Sequence, residues 1–487
     1  MSAAVGLILA RSWMNVCGLL AFLLVARVVL PEDIGIYALA SSAVLLPMSL
    51  VGAGFAEHVV GRDPTGRDLS TAYWSSLASG AIGVLIALGS AAIAYWGFGQ
   101  PEIAQIMLLM APLPFIWSAG VIPEAVLIRD GRGAPLAIAA FASDLLGLIA
   151  LAAGVMLGWG VMSLVANRFV SCIVMVLGVS IAAPPRGLSG FEWSSARRVG
   201  GFGAGLLGSR LAGWAGQFGT EFVIGVLLST AAVGYYRLAS RLVGAMYSVI
   251  MQGPSSAQLA YFGRGQQGPP KAYDHALRLH VSLAAPVIIA VTMGAPLIIQ
   301  VALGPNWQPS AFVLSMLALA VLPQIGAGIA STMLIAHGHA RRAFVLHSAM
   351  ALATVLGLLA GSWFGLDEAA IARLAMAVAV LVPTVAAVPE LRPSGVGRTL
   401  RIFAAVALPS AGMALAMNAV LVLWPAGPGW LSGLMTLAVA GALGFAVYVL
   451  VSRLILRRTT LLFRLLLADR LPGKLGIIRR PRFGAML

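Results

Sequence analysis

The sequence predicts an all-α polytopic membrane protein of about fourteen transmembrane helices, and three observations carry that prediction. Hydrophobic residues make up 60% of the chain and charged residues only 10%, where a soluble domain carries roughly 25% charged residues. Apolar runs of ~20 residues or more, the length that crosses ~30 Å of hydrocarbon, follow one another from end to end. Lys and Arg gather in every second loop, as the positive-inside rule requires. None of the runs alternates with period two, so they read as helices; only helices and closed barrels bond every backbone polar group in lipid.

The elements follow in order. The first apolar run, 5–29, is too long for the apolar core of a signal peptide and lacks a convincing cleavage site, so it reads as a retained helix. Five more helices complete the first half at 33–56, 71–97, 103–128, 134–158 and 160–183, with Pro112 and Pro114 marking a bend in the fourth of the six. Six follow at 199–226, 231–258, 276–303, 310–336, 342–364 and 367–389, and a last pair at 400–424 and 430–452. One set of connectors is basic: Arg62 and Arg67; Arg129 and Arg132; Arg186, Arg197 and Arg198; Arg264, Lys271 and Arg278; Arg341 and Arg342; Arg392, Arg398 and Arg401. The other set, at 30–33, 97–102, 158–160, 229–230, 304–309, 365–368 and 425–429, is short and bare of Lys and Arg except near its edges. With nine more in the C-terminal tail, 24 of the 31 basic residues fall on one side. That places both termini in the cytoplasm and the chain in a bacterial inner membrane. The same distribution refutes a nucleic-acid reading of the net charge of +15. Cys17 and Cys172 lie inside apolar runs without metal or redox spacing and read as small hydrophobes.

An internal repeat divides the helices. Gly35-Ile36-Tyr37-Ala38-Leu39-Ala40-Ser41 returns as Gly234-Tyr235-Tyr236-Arg237-Leu238-Ala239-Ser240, an offset of 199 that also superimposes Arg11 on Arg210 and Gly6 on Gly205. Six helices separate equivalent points, so the halves share one orientation. Parallel repeats of this kind build two lobes with a substrate site between them near the midplane. The expected organisation is a six-helix lobe at 1–190, a second at 191–395, a terminal helix pair at 396–452 and a basic cytoplasmic tail at 453–487. In the tail, Arg453, Arg457, Thr460 and Arg464 take one helical face and Leu461, Leu462, Leu465 and Leu466 the other. This is either an amphipathic helix on the anionic leaflet or charge that simply fixes topology.

The stretch Ala26-Arg27-Val28-Val29-Leu30-Pro31-Glu32-Asp33-Ile34-Gly35-Ile36-Tyr37-Ala38-Leu39 resembles the opening hairpin of a known family. These are the Wzx-type polysaccharide and oligosaccharide repeat-unit flippases of the multidrug/oligosaccharidyl-lipid/polysaccharide (MOP) exporter superfamily. Val233-Gly234-Tyr235-Tyr236-Arg237-Leu238-Ala239-Ser240-Arg241-Leu242 is similar to the family's matching second-lobe hairpin. The resemblance covers the chain in helix count and two-lobe plan. It implies an alternating-access exporter that turns a polyprenyl-diphosphate-linked oligosaccharide to the outer leaflet for O-antigen, capsule or exopolysaccharide synthesis. It further implies membrane lipids and polysaccharide polymerase machinery as partners, no cofactor, and a groove for the lipid tail in residues 400–452. A cation-coupled small-molecule (multidrug) antiporter of the same superfamily is the competing reading. Those antiporters carry acids in the first helix or in second-lobe helices, whereas here the first helix offers Arg11 and Asn15, and helix 310–336 has no Asp or Glu. The signature that lipid II flippases carry after the first helix is not found.

An ionisable group at mid-bilayer costs roughly 2.5–3.5 kcal/mol on insertion scales and therefore faces a cavity or a partner. The intramembrane candidates are Arg11, Arg27, Arg168, Arg210, Arg237 and Arg241 against Glu57, Glu124, Asp144 and Glu221, a cationic surplus. Arg210, Trp214, Gln217 and Glu221 share one face of helix 199–226. Arg237, Arg241, Gly244, Ser248, Gln252 and Ser255 share a face of helix 231–258. The stripes read as cleft walls, against a plainer role in interhelical hydrogen bonds worth about 0.6 kcal/mol each. Glu221 and Arg237 each lie eight residues from the turn near Ser229 and are expected to pair, while Arg210 and its repeat mate Arg11 have no acid at their own level. Two unpaired guanidiniums in equivalent places suit a diphosphate. The expected substrate-binding set is therefore Arg210, Arg11, Arg241, Asn15, Gln217, Gln252 and Trp214, with Arg210 foremost; for Arg11 the competing reading is snorkelling to the surface. Asp144 with Arg168, and Glu124 beside Pro123, are candidates for coupling or for structural ion pairs.

An enzyme is not expected. The chain has no G-x-x-x-x-G-K-[ST] phosphate loop and no His/Cys cluster with metal spacing, and His337 and His339 belong to a basic loop. A polymerase or ligase needs a substantial external loop for its chemistry, and the longest external connector has only about a dozen residues.

Overall fold

Fifteen α-helices and no strand make up the described residues of the computed structural model, which leaves out 1–17, 19–21, 62–63, 186–189, 264–268, 428 and 456–487 and some side chains inside helices. The first half holds α1 (Pro31–Leu50), α2 (Phe55–Gly61), α3 (Gly66–Ala92), α4 (Pro101–Met110), α5 (Leu113–Arg129), α6 (Gly133–Met156) and α7 (Met162–Ala182). The second holds α8 (Trp193–Leu227), α9 (Thr230–Gly263), α10 (Pro269–Ala302), α11 (Ser310–Ala336), α12 (Ala340–Ser362) and α13 (Leu366–Ala386). The terminal pair is α14 (Gly395–Leu423) and α15 (Trp430–Ile455). Among the described residues, eleven spans are long and apolar enough to cross a membrane. Helices α8 and α9, 35 and 34 residues long, contain side chains outside the described set and are not among those eleven. Most of the expected first helix, with Arg11, Asn15 and Cys17, and nearly all of the C-terminal tail lie outside the described residues.

Two expected helices are each divided. The chain leaves α1 at Leu50 and starts α2 at Phe55, with Gly52 and Gly54 at φ +67° and +87° between them, a left-handed conformation open to residues without a Cβ. The expected helix 103–128 divides at Pro112, which has no N–H to continue α4; its carbonyl instead accepts from Phe115 and Ile116 at the start of α5. At its far end α3 passes into a π-helical turn, Ile93–Gly97.

The repeat is expressed in packing. In the first half α3 packs on α5, α5 on α7 and α6 on α7; in the second α10 packs on α11, α11 on α13 and α12 on α13. The repeat mates α1 and α9 lie along each other and join the two lobes, α8 reaches across to α1, α2 and α3, and the terminal pair packs on α10. Where α1 and α9 meet, each lobe supplies one glycine. A Cβ on Gly35 would stand 1.8 Å from the Thr230 carbonyl oxygen, and one on Gly234 would stand 2.0 Å from that of Pro31. Pro31 and Thr230 are themselves 199 apart, so the two contacts are one contact repeated by pseudo-two-fold symmetry. A single hydrophobic cluster runs through this junction from both lobes.

Candidate functional site

The seam between α1 and the hairpin α8–α9 gathers most of the described candidate residues. At its centre Glu221, which is buried, accepts from Arg237 Nη1 and from Ser42 Oγ, both at 2.6 Å. Arg237 also donates to the Ala38 carbonyl and Ser42 Oγ, each at 3.3 Å, and to Ser41 Oγ at 3.4 Å. The pair inside one hairpin thus becomes a bridge to the other lobe. Ser41 and Ser42 carry that bridge and are absent from the expected site. Their one sequence signal was a pair of adjacent hydroxyls in an apolar run, with Ser41 closing the repeated motif.

Toward the face that carries the basic loops, Trp214 Nε1 donates to the Ser42 carbonyl at 3.0 Å, and its ring lies 5.7 Å from that of Phe222. Arg210, four residues further on, donates to the Ser49 carbonyl at 2.7 Å and forms an ion pair with Glu57. Arg210 is therefore not unpaired. Its acid comes from the other lobe, which a comparison of levels within one hairpin does not see. The chemistry is that of a helix cap: α1 stops at Leu50, its last carbonyls have no helical donor, and a basic side chain supplies one. The second oxygen of Glu57 accepts from the Gly54 N–H at 2.8 Å. Arg210, Trp214 and Glu221 of the α8 stripe are accordingly bonded across the seam to α1 and α2.

At the opposite end the same device is reversed. Arg27 Nε donates to the Ala302 carbonyl at 2.7 Å and Nη2 to that of Val301 at 3.3 Å, so a first-lobe arginine caps the last turn of α10. Trp307 Nε1 donates to the Ala26 carbonyl at 2.7 Å, and its ring meets Phe22 and Tyr235 edge-on.

Arg241 donates to the Gly18 carbonyl at 2.9 Å and stands 5.6 Å over the Phe22 ring. Arg237 and Arg241 lie one turn apart on α9, and of the two only Arg237 is paired with a carboxylate among the described residues. Arg168 and Asp144 form no ion pair among the described residues, and Asp144 Oδ2 is buried without a hydrogen-bond partner there. Ser143 and Ser171 exchange hydrogen bonds across α6 and α7, at 2.9 and 3.1 Å, which sets the register of the two helices there. Glu124 makes no hydrogen bond or ion pair among the described residues. Gln217 and Gln252 lie on α8 and α9, but their side chains, like Arg11 and Asn15, fall outside the described set. Within that set no group of three His, Cys, Asp or Glu can hold a metal ion. His339 instead pairs with Glu390 at 3.3 Å, and Cys172 is a buried free thiol.

Beside the seam lies a cavity of about 490 Å³ between α1, the π-helical turn, α4 and α8; Leu46, Ile93, Met107, Trp214, Phe222 and Val226 are among its walls.

Residues 24–312 match a protein family described as "Polysaccharide biosynthesis protein". Among characterised proteins, the chain is 23% identical over 303 residues to the succinoglycan biosynthesis transport protein ExoT of Rhizobium meliloti (strain 1021); the match spans 61% of each chain. Among solved structures, lipid II flippase MurJ in an inward closed conformation superimposes with a TM-score of 0.73 at 13% identity, over 93% of this chain and 99% of that one. An inward-facing multidrug resistance MATE family transporter of the MOP superfamily gives 0.65 at 14% identity, over 83% and 99%. At such identities the structural likeness concerns the fold.

Proposed function

Because the chain belongs to the polysaccharide biosynthesis protein family and has the fold of MOP superfamily transporters, we propose that it is a flippase for polyprenyl-diphosphate-linked oligosaccharide. It works by alternating access in the inner membrane, with both termini and the basic loops in the cytoplasm and the bare loops in the periplasm. The lobes of residues 1–190 and 191–395 rock about the α1–α9 seam, and the chain catalyses no bond-making step. The polymerase that extends the exported units is its natural neighbour in the pathway.

One observation carries the reading: Arg237 and Arg241 stand one turn apart on α9 at the seam between the lobes, Arg237 paired with Glu221 and Arg241 held by the Gly18 carbonyl and the Phe22 ring rather than by a carboxylate. A surplus of guanidiniums between two moving bodies suits a diphosphate, which arginine engages by bidentate, charge-assisted bonds. With Arg210 tied to Glu57 at rest, Arg241 and Arg168 become the leading head-group ligands, and Asp144 remains the candidate proton carrier.

The test is complementation of a deletion strain. Arg241→Gln and Arg168→Gln are expected to lower export of surface polysaccharide at least tenfold at normal membrane levels, with lipid-linked units accumulating on the cytoplasmic leaflet. Full export by both variants would overturn the assignment. The unpartnered Asp144 carboxylate also fits a cation-coupled antiporter, which predicts drug resistance on overexpression and no change in surface polysaccharide on deletion.

A further inference from the structure

We propose that Arg373 on α13 is the second lobe's ligand for the diphosphate of the lipid substrate, as the repeat mate of Arg168 on α7. This rests on the flippase reading and adds to it a residue outside the expected binding set.

Sequence and packing pair the two arginines. Arg168, Ala182 and Pro184 return as Arg373, Ala387 and Pro389 at an offset of 205. Just before them Gly154 and Gly158 return as Gly361 and Gly365 at an offset of 207, because the turn between the helices is two residues shorter in the second half. The same close contact recurs in both halves. A Cβ on Gly154 would stand 2.8 Å from Ser163 Cβ at the start of α7, and one on Gly361 would stand 2.7 Å from the Glu368 carbonyl oxygen at the start of α13. Ser163 and Glu368 are again 205 apart, so Arg168 and Arg373, each five residues further on, hold equivalent places in the two lobes.

Both helices start at the bare-loop end. Arg168 lies six residues inside α7 and Arg373 seven inside α13, depths of ~9 and ~10 Å at 1.5 Å per residue. A guanidinium that deep needs a partner or a polar cavity. Among the described residues, no ion pair includes either arginine. Arg373 Nη1 donates to Thr354 Oγ1 on α12 at 3.2 Å, a neutral acceptor that occupies one of several N–H donors and leaves the charge uncompensated.

A cavity of about 350 Å³ opens at the same end, between the α8–α9 turn and the start of α13, with Ser229, Tyr235, Leu366, Asp367 and Glu368 among its walls. Arg373 follows Leu366 by two turns on one face of α13, and only the buried Ala369 and Ala370 stand between them on that face. Outward opening of the seam carries the cavity inward past two methyl groups to the guanidinium. Arg241 lies deeper, eleven residues inside α9 from that end, or ~16 Å. The head group therefore meets Arg241 first and the symmetric pair next on its way out, where arginine engages it by bidentate, charge-assisted bonds.

The test uses the full-length protein in nanodiscs with undecaprenyl diphosphate and, as a control without the head group, undecaprenol. Arg373→Gln is expected to weaken diphosphate binding at least tenfold and to leave undecaprenol binding unchanged. Thr354→Val, which removes the hydrogen bond and keeps the charge, is expected to bind as the wild type does. Equal diphosphate affinity in wild type and Arg373→Gln, or an equal loss in Thr354→Val, overturns the assignment. In the wild type, undecaprenyl diphosphate is expected to slow phenylglyoxal modification of Arg373 several-fold, read by mass spectrometry, and undecaprenol to leave it unchanged. Absence of that protection overturns the assignment as well, and this measurement decides if Arg373→Gln fails to insert. A wild type that binds both lipids alike defeats the flippase reading itself. A preference for the diphosphate that Arg373→Gln keeps defeats only the role of Arg373.

Discussion

Gly35 and Gly234 let the lobes meet because neither has a methyl group. A Cβ at Gly35 would fall 1.8 Å from a backbone oxygen, which has no room to yield. Gly35→Ala is therefore expected to cost about 1–3 kcal/mol, the usual range for overpacking, seen as a lower unfolding temperature in detergent together with loss of export. Gly89→Ala, where nothing lies within 4 Å, is expected to lose neither. Glu221 and Arg237 give a second residue-level test. Their side chains are only 8% and 12% exposed, so Glu221→Gln strands a buried cation, and breaking such a pair costs about 3–5 kcal/mol. The double variant Glu221→Gln/Arg237→Gln is expected to be less destabilised than the sum of its single changes by about 0.5–3 kcal/mol, read from a double-mutant cycle. This pair was legible in the sequence because both members belong to one hairpin. Glu57, 153 residues from Arg210, was not, because nothing in local spacing reports which helices of two lobes become neighbours.

Two helices end where an arginine from the opposite lobe receives their last carbonyls: α1 at Arg210 and α10 at Arg27. The caps lie at opposite ends of the seam, so the proposed rocking of the lobes would release one while the other holds. Arg210→Gln is expected to loosen the basic-loop end. A cysteine at Ser49 then reacts several-fold faster with a membrane-impermeant thiol reagent applied from the cytoplasmic side, at a stability cost of about 1 kcal/mol or less, since the pair is about a third exposed. An unchanged labelling rate would mean that the cap does not hold this end shut. The divisions at Gly52 and Gly54 and at Pro112 were hidden from the hydropathy reading, because each break leaves the apolar content of its run unchanged. The prolines were visible as a bend, but the glycines gave no sign that the chain turns left-handed there.

At the scale of the molecule, repeat and packing agree. The offset of 199 that aligns two short motifs also pairs α3–α5 with α10–α11 and α5–α7 with α11–α13. A topology map offers the global check. Cysteines at Arg132 and Arg341 are expected to react only after the membrane is permeabilised, while those at Gly304 and Gly365 react in intact spheroplasts. The reverse pattern would invert the orientation assigned here. The sequence by itself determined the all-helical class, the order of the apolar spans and the repeat that relates the two halves, since each follows from hydropathy and repetition along the chain, quantities that need no knowledge of neighbours. Only the tertiary structure decided the partners of the intramembrane charges that have none within their own hairpin. Arg210 sits in a seam with Glu57, Arg241 against the Gly18 carbonyl and the Phe22 ring, and a cavity of about 490 Å³ opens along α8. A charge in hydrocarbon takes whatever partner the fold brings within reach, and for Arg210 that partner is on the other half of the chain.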